Sequence, residues 1–198
     1  MPNWCNNSIT LRHKDPAMID RVVKALADGR LLNEFFPCPA ELHEHDSPQR
    51  DEALSERFLK EYGATDWYNW QLKNWGTKWD VGNDDGLTDR IDENTVQANF
   101  SSAWAPPCQA YEQLIELGFY IKAYYNEPGM CFCGIWEGDT DNGFFDDYRE
   151  YSGESSDTVR EVIGEELDDF WCITEDMVLY EDDEDFEVDP RDLPPHTD

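Results

Sequence analysis

From Glu137 to Asp198 the chain carries 24 Asp and Glu against Arg149, Arg160 and Arg191, a net of −21 out of a whole-chain −30. Few folds can be built from such a stretch alone, because like charges repel and little apolar surface is left to bury. The core must therefore come mostly from residues before about 175. Aromatic residues at 14%, eight of them Trp, are too many for a disordered chain, so a core is expected. A surface this acidic repels nucleic acid and attracts basic protein clefts.

At 198 residues the chain has room for one sizeable domain with or without an appendage. No basic leader or apolar run opens it, and no segment approaches the ~20 apolar residues that span a bilayer. A cytoplasmic protein is expected. Six cysteines (Cys5, Cys38, Cys108, Cys131, Cys133, Cys172) lack a CxxC pair and read as free, mainly buried thiols.

Asn7 to His13 alternates as a strand with Ile9 and Leu11 on one face. Asp15-Pro16 then starts a helix whose stripe is Ile19, Val22, Val23 and Leu26, closed by Gly29. Residues 31 to about 80 read as an insertion, with a helical run near Glu52 to Tyr62 and a Trp-rich block after it. Asn83 to Gly86 is a turn signal, Thr95 to Trp104 a strand, and Pro106-Pro107 the start of a helix ended by Gly118. Phe119 to Tyr124 is a further strand. Met130 to Trp136 and Phe144 to Tyr151 flank Asp141-Asn142-Gly143 as a hairpin. Ser156-Asp157 caps a helix expected to carry Glu161, Glu165, Asp168 and Asp169 together with Val162, Ile163, Leu167 and Phe170. The order predicts an α+β, ferredoxin-like (split βαβ) antiparallel sheet over 1–136 with the insertion, and an acidic hairpin, helix and tail over 137–198.

Four blocks resemble the ferredoxin-like domain family typified by the YubB and Api-type proteins of bacteriophages and conjugative plasmids. They are Met1 to Asn7, Asn74 to Asp80, Ser102 to Pro107, and Glu127-Pro-Gly129 leading to Phe132-Cys-Gly134. The resemblance implies that fold and residence on a mobile genetic element in a bacterial host. It transfers no catalytic residue.

For a partner site the acidic end has two readings. One is a solubilising tail. The other is imitation of nucleic acid: 21 net charges match roughly 36 Å of duplex at one charge per ~1.7 Å. Carboxylates at i and i+4 on a helix lie ~5–6 Å apart, comparable to phosphate spacing. The carriers would be Glu165, Glu166, Asp168 and Asp169 with Asp182, Asp183, Glu184 and Asp185. The expected protein is then a non-enzymatic anti-restriction or anti-CRISPR type inhibitor that fills a basic groove of a host defence protein. The alternative is a small-molecule or peptide module using Trp75, Lys78, Trp79 and Trp104. No GxSxG, P-loop, HExxH or GxGxxG occurs, and no cofactor is expected. Cys131 and Cys133 with Cys5, or His43 and His45 near Cys38, lack zinc-type spacing, and Asp139 to Asp147 departs from an EF-hand.

Overall fold

Strand β1 (Trp4–Arg12) alternates so that Cys5, Asn7, Ile9 and Leu11 are buried while Trp4, Asn6 and Arg12 are exposed. That period of two sets the register of everything around it. In the computed structural model, which describes residues 2–82, 88–152 and 155–184 (the last six as backbone), β1 lies between two antiparallel partners. Ile9 is opposite Ala98 of β3 (Thr95–Ala103) on one side and Ala123 of β4 (Tyr120–Glu127) on the other. With β2 (Thr88–Asp92), β5 (Phe132–Asp139) and β6 (Gly143–Glu150) the sheet runs β2-β3-β1-β4-β5-β6. Its first four strands are joined as a split βαβ pair, the ferredoxin-like α+β arrangement expected from the sequence.

Helix α1 (Pro16–Ala27) makes the first crossover, capped by Asp15, which accepts from Ala17 N at 3.0 Å. The insertion is helical, with α2 (Leu31–Phe35), α3 (Ala40–His43), α4 (Glu52–Tyr62) and α5 (Trp67–Asn74). Aspartates start three of its four helices: Asp51 accepts from Leu54 N, Asp66 from Asn69 N, and Asp80 from Leu32 N and Asn33 N. The second crossover is α6 (Cys108–Glu116). One core joins Ile9, Leu11, Val96, Phe100, Ile121 and Trp136 of the sheet to Ile19, Val22 and Leu26 of α1 and Tyr111 and Leu114 of α6.

The chain divides into two units, Met1–Arg149 and Glu150–Asp198, and the β5–β6 hairpin belongs to the sheet of the first. Asp139 holds the turn between them, accepting from the amides of Asp141 and Asn142 and from the Asn142 side chain. The expected turn at Asn83 to Gly86 lies outside the described residues. The six cysteines are free, and burial pushes the Cys5 and Cys38 thiols up to about 12. Among the described residues no helix is long and apolar enough to cross a membrane, and no group of three His, Cys, Asp or Glu could hold a metal ion.

Candidate functional site

The second unit is three helices: α7 (Ser156–Ile163), α8 (Glu165–Trp171) and α9 (Ile173–Glu184), each in contact with the other two. Ser155, one residue earlier than expected, caps α7 by accepting from Thr158 N. The single helix anticipated from Ser156 through Phe170 is broken at Gly164. Its φ of +77° with ψ 164° is a conformation open essentially to glycine alone, so the chain turns there and restarts as α8.

Val159, Ile163, Leu167 and Ile173 are buried, whereas Asp157, Glu161, Glu165, Glu166, Asp169, Glu175 and Asp176 are exposed. Residues 150–198 hold 19 acids against Arg160 and Arg191. Arg160 approaches Asp168 at 3.6 Å and Asp169 at 3.5 Å.

Asp168 must be removed from the set of displayed acids. It is 4% exposed, and its two oxygens accept from Thr174 N at 2.9 Å and Thr174 Oγ1 at 2.6 Å. The chain passes between α8 and α9 through Cys172, a non-glycine residue at φ +55°. Asp168 bridges that corner and satisfies a free amide of the first turn of α9, as an N-cap side chain would. Asp182, Asp183 and Glu184 fall within α9, where only the backbone is described, and Asp185 lies outside the described residues.

The placement of charge is uneven in its cost. Acids in the first turns of α8 (Glu165, Glu166, Asp168) and α9 (Glu175, Asp176) favour the helix dipole. Glu161, in the last turn of α7, has the dipole against it.

The Trp-rich block separates into inside and outside. Trp75 is 1% exposed, a core residue whose Nε1 donates to Phe36 O at 2.9 Å, so it cannot line an open pocket. Trp79, Trp104 and Trp4 are 37%, 45% and 47% exposed. Trp4 and Trp79 lie 5.7 Å apart and tilted, and Lys78 Nζ is 4.5 Å from the Trp79 ring. A cleft of about 550 Å³ lined by Trp4, Asn6, Asp80, Gly82 and Ser101 adjoins them. Blocks distant in sequence meet here: Thr77 Oγ1 donates to Ala103 O, and Asn7 Nδ2 donates to Ser102 Oγ, each at 2.8 Å. Four other polar groups have structural partners. Asp146 accepts from Tyr125 Oη, Asp147 pairs with Arg149, His43 stacks on Trp67 and His45 packs on Phe58.

Sequence reasoning overlooked one feature, a cleft of about 660 Å³ beside Arg12, His13 and Lys14. The available signal was the chain's one run of three consecutive basic residues.

No protein-family model and no curated protein matches the sequence. Among solved structures, the chain is similar to the crystal structure of api92, a protein from Yersinia pseudotuberculosis described under the family DUF1281. The TM-score is 0.47 at 11% identity, over 77% of this chain and 99% of that one.

Proposed function

We propose that the protein is a non-enzymatic inhibitor whose acidic helices occupy the basic nucleic-acid groove of a host defence protein, of the anti-restriction or anti-CRISPR type. The observation that carries this reading is that Glu161, Glu165, Glu166, Asp169, Glu175 and Asp176 stand on helices whose Val159, Ile163, Leu167 and Ile173 are buried. Folded backbone then displays the charges at set spacings, as a duplex displays its phosphates. The sequence blocks within residues 1–136 that resemble phage and plasmid proteins are in keeping with an anti-defence role.

The test is competition. Purified bacterial restriction and CRISPR effector enzymes are loaded with labelled duplex DNA, and displacement by the full chain is followed by anisotropy. Displacement should weaken steeply with salt. It should be lost when Glu161, Glu165, Glu166 and Asp169 are changed together to Lys. Failure of the wild type to displace DNA from any of these enzymes, or equal displacement by the charge-reversed variant, refutes the mechanism.

A second reading, a ligand-binding surface, rests on the exposed Trp4–Trp79 pair beside its cleft. It predicts that Trp79→Ala abolishes ligand binding without loss of fold, and that deleting residues 150–198 leaves binding intact.

A further inference from the structure

In a chain with three times as many acids as Lys and Arg, most cations should find a carboxylate. Arg12 and Lys14 have no ion pair among the described residues, yet both line the cleft of about 660 Å³ at one end of the sheet. Arg12 lies over the Tyr120 ring at 5.0 Å, and Lys14 is exposed.

The loop that carries them is held from several sides. Asn94 Nδ2 donates to His13 O at 2.7 Å and Lys14 O at 3.0 Å. His13 Nδ1 accepts from Asp15 N at 3.0 Å, and Nε2 faces Leu117 O at 3.2 Å. A carbonyl can only accept, so Nε2 is the donor in that contact. His13 also packs on Phe119 at 4.7 Å. Gly118, at φ +96°, leaves the room this ring needs, since a Cβ there would lie 3.1 Å from Nε2.

The far wall has the opposite charge. Asp139, Thr140 and Asp141 from the β5–β6 turn line the same cleft. Hydrogen bonds from Asn142 and from the Asp141 amide hold the Asp139 carboxyl below its ordinary pKa, so it is ionised. Among the described residues no hydrogen bond or ion pair engages the Asp141 carboxylate. Arg12 and Lys14 thus face Asp139 and Asp141, two cations against two anions. A plain anion would meet Asp139, Asp141 and the field of a −30 protein; a plain cation would meet Arg12 and Lys14.

We infer that this cleft binds a short peptide with free ends, its carboxylate on Arg12 and Lys14 and its ammonium on Asp141. The sheet order fixes the scale. β4 alone separates β1 from β5, so the two poles start from backbones about 10 Å apart at ~4.8 Å per strand. An extended di- or tripeptide spans about 7–10 Å. The volume falls within the ~300–1,000 Å³ of small-molecule sites, and the half-buried Tyr120 borders it.

The experiment titrates the full chain with Ala-Phe-Ala, its N-acetyl form and its C-terminal amide at low salt, by calorimetry and by amide shifts of Asn94, Thr95, Gly118 and Tyr120. The free tripeptide should bind, and each blocked form should bind about tenfold more weakly, the loss of one charge-assisted contact. In Lys14→Gln, with Arg12 still in place, the penalty for amidation should shrink, and in Asp141→Asn acetylation should cease to matter. Both residues are exposed, so neither variant threatens the fold. Absence of shifts at about 10 mM, well above a millimolar Kd, overturns the inference. So does an acetylated peptide that binds as well as the free one, which would mark a simple anion site.

Discussion

Replacing Asp168 by Ala removes the acceptor that joins α8 to α9. Two hydrogen bonds to a buried carboxylate disappear, from Thr174 N and Thr174 Oγ1, and both donors are left without a partner beside a buried residue. Loss of a helix-capping acceptor costs ~0.5–2 kcal/mol, and a hydrogen bond to a charged group contributes ~1.5–3 kcal/mol. The two overlap here, because one of the bonds is the cap. Relief of repulsion from Glu165 and Asp169 offsets a little, and the 3.6 Å contact with Arg160, half in solvent, adds less than about 1 kcal/mol. The expected net is about 2–4 kcal/mol, confined to the second unit. Hydrogen exchange reads it directly: protection of the amides of Cys172 to Asp176 should fall about 30- to 700-fold. Protection in β1 and β4 should stay as it was. Asp169→Ala, one position along and exposed, should leave the same amides within about threefold. If Asp168→Ala also leaves them within threefold, the carboxylate does not hold the corner and does not fix the displayed charges in place.

Trp75→Ala should cost about 3–5 kcal/mol in urea unfolding, since it empties a core site and orphans Phe36 O, whereas Trp79→Ala should cost under about 1 kcal/mol. A Trp75→Ala loss as small as that of Trp79→Ala would refute the core assignment. Lowering pH from 7 towards 5 should hold or raise the urea midpoint. Burial raises the carboxyls of Asp80 and Asp146, so protonating them relieves a cost of the folded state, and the overall negative charge also falls. Below about 4.5 the midpoint should drop: the bonds of Glu34 to Arg21 and Arg30, and of Glu41 to Arg57, lower both pKa values, and their contribution is lost as pH falls through the lowered values. A midpoint that declines steadily from pH 7 to 5 contradicts that ordering. Added NaCl should raise the melting temperature by screening self-repulsion while it weakens partner binding.

The elements read correctly from sequence are those whose ends carry their own chemistry. Asp15-Pro16 set the start of α1, and α4 runs over the predicted Glu52–Tyr62 because Asp51 caps it and Gly63 closes it. The hairpin followed from Asp141-Asn142-Gly143. Other features depend on tertiary context. β2 has one large apolar residue, Ile91, which is exposed, so no alternation announces it; it exists because β3 offers an edge. Gly164 inside an amphipathic pattern reads as a tolerated helix residue until its backbone angles are known. At the candidate site, sequence located the acids but not which of them turn inward. Asp168 and Asp169 are adjacent and chemically alike, and only the corner at Cys172 decides that the first caps a helix and the second meets solvent. The same holds for Trp75 and Trp79, four positions apart, one in the core and one on the surface.

A tail that serves solubility has no use for an inside. Like charges spread over free coil repel one another less than the same charges gathered on helices, so folding them is a cost that solubility alone does not repay. Here that cost is incurred by exposing acids on all three helices. Against it stand the buried Val159, Ile163, Leu167 and Ile173 and the Asp168 corner. These interactions fix positions rather than reduce charge. Fixed positions matter when a partner reads spacing, which is the property that separates a decoy for a regular polyanion from an acid-rich appendage of the same composition.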